Sequence, residues 1–171
     1  ITGASSGIGK ALALRLFKED CKVVLLARRI ELLEELISQS VMTDNKVLAI
    51  KCNVSKKEDV VSAYKKIKEK FGGVDIAILN SGVCHTVTVK NYDSRFAEET
   101  FGANIFGIVY WVEQLLPEFV NKKEGIIAGV SSLADNRGFS GSGFYCASKA
   151  AASVYLEGLR VELKRYGINV I

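Results

Sequence analysis

The chain has 171 residues, 49% hydrophobic and 25% charged, an ordinary globular composition with enough apolar surface for one sizeable core. Its net charge of +4 is small, and the lysines at 65, 66, 68 and 70 share a helix with Glu58, Asp59 and Glu69, so no basic stripe argues for nucleic acid. One histidine, four scattered cysteines without a CxxC pair, no run of membrane-spanning length and no visible signal peptide argue against a metal site, a membrane segment or export, leaving the cytoplasm as the expected location.

The chain opens on Ile1, then Thr2-Gly3-Ala4-Ser5-Ser6-Gly7-Ile8-Gly9 and an amphipathic run from Lys10 to Phe17. Lys22 to Ala27 is a short apolar run that predicts a buried strand. Leu32, Leu33, Leu36 and Ile37 then share one helical face, and Lys46 to Lys51 is the next strand. Ser55-Lys56-Lys57-Glu58 has the capping-box pattern, and the stripe Val60, Tyr64, Ile67, Phe71 continues the helix to its stop at Gly72-Gly73. Asp75 to Leu79 is a strand followed by the loop Asn80-Ser81-Gly82. Cys21, Cys52 and Cys84 fall at or beside strands, where a small buried thiol is the ordinary outcome.

A long helix is expected from about Arg95 to Phe119, with Pro117 marking a kink or a last turn. Gly125 to Ser131 is a strand, Asp135 to Gly143 a glycine-rich loop, and a helix from about Gly143 to Arg165 precedes a strand that begins at Ile168. That last helix has two apolar stripes, one of Ala147, Ala151, Val154 and Val161, the other of Ala152, Tyr155, Leu159 and Leu163, with Lys149, Ser153, Arg160 and Lys164 as its clearest polar face. Two stripes suggest burial on both sides, by a neighbouring helix or a second subunit. Short strands alternating with helices mean βαβ units, and the fold class is α/β: a doubly wound parallel β-sheet in a three-layer α/β/α arrangement. Residues 1–171 read as one domain, cut inside a strand at each end.

The chemistry-bearing residues fall at strand ends. Gly3, Gly7 and Gly9 let the backbone turn tightly and approach a ligand, and the helix start that follows offers N–H donors to phosphate. Tyr145 and Lys149 are four residues apart, so they share a helix face. An ammonium held close to a phenol favours the phenolate and makes the pair a usable general acid or base. The glycine spacing is TGxxxGxG rather than the general dinucleotide fingerprint. With Asn80-Ser81-Gly82, Asn104, Ser132, Tyr145 and Lys149 following in order, the whole chain resembles the short-chain dehydrogenase/reductase family.

That resemblance implies a Rossmann fold and a set of roles. Tyr145 is expected as the proton donor in carbonyl reduction, or the acceptor in alcohol oxidation. Lys149 would assist Tyr145 and hold the nicotinamide ribose. Ser132, thirteen residues before the tyrosine, would donate to the substrate oxygen, and Asn104 would hold a water in a proton relay. Thr2, Gly3, Ser5, Ser6, Gly7, Ile8, Gly9, Asn80, Ser81 and Gly82 are expected around the cofactor, with Asn53-Val54 near the adenine, where the family usually has Asp-Val. The adjacent Ser131 reads as a strand-end residue.

Cofactor choice is written at Ala27-Arg28-Arg29, which has two cations and no carboxylate for a free 2′-hydroxyl. A guanidinium suits a 2′-phosphate by charge and fork geometry, so NADP(H) is expected over NAD(H). The implied activity is reversible reduction of a carbonyl, with 3-oxoacyl reductases of fatty-acid synthesis as an alternative and steroid, sugar and small-ketone substrates left open. A non-catalytic cofactor-binding sensor or scaffold is the reading from another class. Phe139 and Phe144 suggest an apolar substrate wall, and His85 and Thr86 are placed to reach the same pocket. The helix with Phe106, Tyr110 and Trp111, together with the Tyr145 helix, resembles the surfaces through which the family forms homodimers or homotetramers.

Overall fold

The computed structural model describes residues 1–171. Its elements are α1 (Gly7–Leu16), β1 (Val23–Ala27), α2 (Ile30–Ser38), β2 (Val47–Lys51), α3 (Lys57–Phe71) and β3 (Ile76–Leu79). After a loop come α4 (Arg95–Phe101), a π-helical stretch (Gly102–Phe106) and α5 (Gly107–Lys122). They are followed by β4 (Gly125–Gly129), a 3-10 turn (Leu133–Asp135), α6 (Gly143–Leu163), a second 3-10 turn (Lys164–Tyr166) and β5 (Ile168–Val170).

Every strand pair is parallel: β1 with β2, and β3 with β4 and β4 with β5. Ile1 and Thr2 join the two groups. Leu26 N–H donates to the Ile1 carbonyl at 3.0 Å and Thr2 N–H to the Ile78 carbonyl at 2.9 Å. Parallel neighbours need crossovers, which here are helices on both faces. Ala13 of α1, Phe17 just after it, and Leu33 and Leu36 of α2 close one face. The other is closed by a larger core that includes Val60, Ile67, Leu115, Phe119 and Leu156 of α3, α5 and α6. This is the doubly wound, three-layer arrangement the alternation predicts. From Thr2 the chain builds outward to β2 on one side, then returns to lay β3, β4 and β5 on the other. That reversal opens a crevice at the carboxyl ends of the strands beside Thr2.

The structure corrects several local expectations. Ser55 does not cap α3; the N-cap is Lys56, with no side-chain capping bond. Asp59 instead turns its carboxylate back to accept from Asn53 N–H at 2.9 Å. The long helix from Arg95 is not uniform. It passes through the π-helical stretch and runs beyond Pro117 to Lys122. Gly102 and Gly107 bracket that stretch, and both press on the loop after β2. A Cβ on Gly107 would lie 2.8 Å from Val54 Cγ2, and one on Gly102 3.3 Å from Ser55 Cβ.

Trp111, named with Phe106 and Tyr110 on a helix expected to pair subunits, is in the core instead. Cys84, expected to be buried, is exposed, and all four cysteines are free thiols. The polar face of α6 is the largest correction. Lys149 is buried, and Arg160 Nε donates to the Val170 carbonyl at 2.7 Å, so this face turns partly toward the ends of β4 and β5. The stripe of Ala147, Ala151, Val154 and Val161 is the one left in solvent. No helix is long and apolar enough to cross a membrane.

Candidate active site

The glycine loop leaves the sheet at Thr2. Gly3 (φ 67°) and Gly7 (φ 54°) take left-handed backbone that favours glycine. Gly9 is required by contact: a Cβ there would meet the Gly3 carbonyl oxygen at 2.4 Å and Asn80 Nδ2 at 2.6 Å. Thr2 Oγ1 accepts from Asn80 N–H (2.9 Å) and Ser81 N–H (3.0 Å), while Asn80 Nδ2 donates to the Thr2 and Gly3 carbonyls at 3.0 and 3.4 Å. Thr2 and Asn80 therefore brace the glycine loop against the end of β3. Thr2 is buried and lines no part of the cleft that this brace shapes.

That cleft has a volume of about 660 Å³. Of the residues expected around a cofactor, Gly3, Ser5, Ser6, Arg28, Arg29, Asn53, Val54, Asn80, Ser81 and Gly82 line it. Gly7, Ile8 and Gly9 form the first turn of α1, outside the lining. Arg29 Nη2 reaches Ser5 Oγ at 3.4 Å, tying the end of β1 to the glycine loop. Asn53 Oδ1 accepts from Ser55 N–H at 3.2 Å, so one of its lone pairs is spent on the local turn.

Ser55, His85, Glu98 and Glu99 also line the cleft. Of these only His85 stood out in the sequence; the other three sit on a loop and a helix whose placement is a tertiary matter. His85 Nε2 lies 3.0 Å from Glu99 Oε2, and its ring packs on Phe96 at 5.0 Å between centroids. Thr86 meets the loop before α6, where Val87 N–H donates to the Gly141 carbonyl at 2.8 Å. Phe144 packs on Tyr92 at 5.6 Å, while Phe139 is exposed.

The cleft adjoins the Tyr145–Lys149 pair through Gly82. A Cβ on Gly82 would lie 3.3 Å from Asn104 Oδ1 and 3.7 Å from Lys149 Nζ. Lys149 is 4% exposed, donates from Nζ to the Val130 carbonyl at 2.7 Å, and lies 5.9 Å from the Tyr145 ring centroid. Burial pulls its pKa below the ordinary lysine value, and the charge of Asp135 pushes in the opposite direction.

Asn104 sits in the π-helical stretch and is fully buried. Its Oδ1 accepts from Val83 N–H at 2.8 Å, and its Nδ2 donates to the Val83 carbonyl and Ser148 Oγ at 3.0 and 2.9 Å. Its amide thus ties the loop after β3 to α6. Ser132 caps the 3-10 turn, and its Oγ accepts from Ala134 N–H at 3.2 Å, which leaves the hydroxyl proton to donate elsewhere. Ser131 is more than a strand-end residue. Its hydroxyl meets Asp135 Oδ2 at 2.9 Å and Ser153 Oγ at 2.7 Å.

A glycine-rich cleft at a parallel-sheet switch point, next to a tyrosine and a buried lysine one helical turn apart, defines a class. The short chain dehydrogenase family profile matches residues 1–171. The uncharacterized oxidoreductase Lmo0432 of Listeria monocytogenes is 35% identical over 170 residues, 99% of this chain and 68% of the relative. A short-chain dehydrogenase from Streptomyces avermitilis superposes with a TM-score of 0.92 at 29% identity, covering 99% of this chain and 62% of that one. The 3-ketoacyl-(acyl-carrier-protein) reductase of Brucella melitensis, complexed with NADH, gives 0.91 at 29% identity over 99% of this chain and 71% of its own. An alcohol dehydrogenase from the archaeon Thermococcus sibiricus, complexed with 5-hydroxy-NADP, gives 0.86 at 27% identity over 96% of this chain and 70% of that one. This chain spans 62% of the Streptomyces chain and 68% of the Listeria relative. It belongs to the short-chain dehydrogenase family of nicotinamide-dependent oxidoreductases.

Proposed function

We propose that the protein interconverts a carbonyl and a secondary alcohol with NADP(H), Tyr145 serving as proton donor or acceptor. The observation that carries this is the Tyr145–Lys149 pair on one face of α6, joined through Gly82 to the nucleotide cleft. The cleft suits the cofactor by its own chemistry. Left-handed backbone at Gly3 and Gly7 keeps side chains away from the phosphate end, and the N-terminus of α1 follows directly. Arg28 and Arg29 supply positive charge where a 2′-phosphate would lie, and Ser5 and Ser6 offer hydroxyls beside them.

A bound nicotinamide supplies the hydride. Tyr145 gives its proton to the developing alkoxide during reduction, or takes it back during oxidation. The Lys149 charge favours the phenolate left behind, and its buried Nζ has further donors for ribose hydroxyls besides the one on Val130. Ser132 holds the substrate oxygen near Tyr145 with its free hydroxyl proton. Asn104 keeps the loop after β3 seated on α6, so its side chain serves this site as a strut. A 3-oxoacyl substrate is the second reading, favoured by the likeness to the Brucella reductase.

A homodimer or homotetramer is part of the same proposal. Val154 and Val161 are 69% and 76% exposed on α6, and Phe106 stands out at the end of the π-helical stretch, apolar surface of the kind copies bury against each other. Light scattering at micromolar concentration should give a dimer or larger; a monomer alone would count against it. The activity is tested by saturable NADPH oxidation against a carbonyl panel. Turnover with at least one carbonyl is expected. NADPH binding with no turnover across the panel would favour a sensor.

A further inference from the structure

The 3-10 turn that carries Ser132 is fastened to α6 by a group that the reaction itself does not use. Asp135 Oδ2 accepts from Ser131 Oγ at 2.9 Å and from Ser153 Oγ at 2.6 Å. The two hydroxyls are themselves 2.7 Å apart. Ser153 follows Lys149 by one helical turn, so Tyr145, Lys149 and Ser153 form a single row along α6. One carboxylate therefore sits between the last residue of that row and the segment that presents Ser132. We propose that Asp135 is a positioning residue: it clamps the Ser132 turn to the Tyr145–Lys149 row and serves as the counter-charge to buried Lys149.

The electrostatic surroundings agree with this role. Ser153 and Ser131 hold the Asp135 carboxyl below the ordinary carboxylate range, so it is an anion at neutral pH. Lys149 faces Tyr145 on its own helix, and the Asp135 carboxylate is tied to Ser131, next to the Val130 carbonyl that Lys149 donates to, and to Ser153, one turn beyond Lys149. Among the other elements packed on α6, α4 brings Arg95, Glu98 and Glu99, the π-helical stretch and β5 bring no charge, and the last 3-10 turn brings Lys164, Arg165 and Tyr166. The Asp135 charge works against the effect of burial on Lys149. The sign follows. Removing that charge takes away this opposition, so the Lys149 midpoint is expected at a lower pH than in the wild type.

The catalytic part of this inference rests on the roles proposed above for Ser132, Tyr145 and Lys149, whereas the titration part does not. The test follows the side-chain carbons of 13C-lysine in the complete protein across pH, with Lys149 assigned by the signal missing from Lys149→Ala. Asp135→Asn keeps an oxygen for the serines and removes the charge; Ser153→Ala keeps the charge and removes one bond. The Lys149 midpoint should move to lower pH in Asp135→Asn and stay with the wild type in Ser153→Ala. An unmoved midpoint in Asp135→Asn overturns the counter-charge. Asp135→Ala should lose up to about a hundred-fold in turnover, the scale of a misplaced reacting group, with NADPH affinity kept. Wild-type turnover in Asp135→Ala overturns the clamp. Absence of turnover in the wild type would sink the proposed activity, while the lysine titration would still decide whether Asp135 is the counter-charge.

Discussion

Glu118 offers a quantitative check on how α3 and α5 are held beneath the site. Its side chain is only 7% exposed and accepts four hydrogen bonds. Tyr64 OH and Lys68 Nζ reach Oε2 at 2.5 and 2.9 Å, and Lys122 Nζ and Val74 N–H reach Oε1 at 2.6 and 3.2 Å. Burial raises the carboxyl's pKa, but the bonds from Lys122, Tyr64, Lys68 and Val74 outweigh it and hold the group at about 2 instead of its ordinary 4.5. A folded-state pKa below the unfolded one contributes stability that is complete above pH 4.5 and is lost as pH falls toward about 2. The linkage is worth about 3 kcal/mol at neutral pH. Glu118→Gln, which cannot carry the charge, should therefore lower stability at pH 7 by about 3 kcal/mol, a drop of roughly 6–12 °C in Tm for a chain of this size class. Urea unfolding of wild type and variant at pH 7 and pH 3 is the assay, and the gap between them should shrink at pH 3. A gap that is the same at both pH values, or absent at pH 7, would refute the argument.

Other expectations follow from the cleft. Arg28→Asp exchanges attraction for a 2′-phosphate for repulsion and offers an acceptor to a free ribose hydroxyl, so steady-state kinetics with both cofactors should show preference moving from NADPH toward NADH. A wild type that already prefers NADH would contradict the role given to Arg28. Gly9→Ala drives a methyl into the Gly3 carbonyl and Asn80 Nδ2, a backbone overlap that should cost about 1–3 kcal/mol and weaken NADPH binding in calorimetry. Gly143→Ala, with nothing within 4 Å of the added carbon, should leave both unchanged.

The layered fold was legible because its signals are local. The apolar runs at β1 and β2, the stripe from Val60 to Phe71 and the stop at Gly72 each follow from side chains within one element, and Gly72 does take left-handed backbone at φ 85°. The glycine loop and the Tyr-Lys spacing were legible for the same reason. What was hidden depends on contacts between elements. Lys149, Ser153 and Arg160 look like a solvated face on a helical wheel, because nothing near them in sequence reveals that Val130 and Val170 present carbonyls to Lys149 and Arg160. The π-helical turn around Asn104 leaves no compositional trace, since its glycines are placed by Val54 and Ser55 from another segment. Asp135 looked like an ordinary loop residue until the fold brought Ser131 and Ser153 to it.

The central claim is that Tyr145 moves the proton, and substitution at three positions tests it most directly. Tyr145→Phe removes one hydroxyl and keeps the ring, so packing and NADPH affinity should hold while turnover falls by about a hundred- to ten-thousand-fold. Lys149→Ala should lose both turnover and cofactor affinity, and Ser132→Ala should lose turnover alone. NADPH binding by calorimetry, set beside carbonyl reduction in the complete protein, reads the pattern: affinity kept, lost, kept, with turnover reduced in all three. Carbonyl reduction at the wild-type rate by the Tyr145→Phe protein would contradict the account.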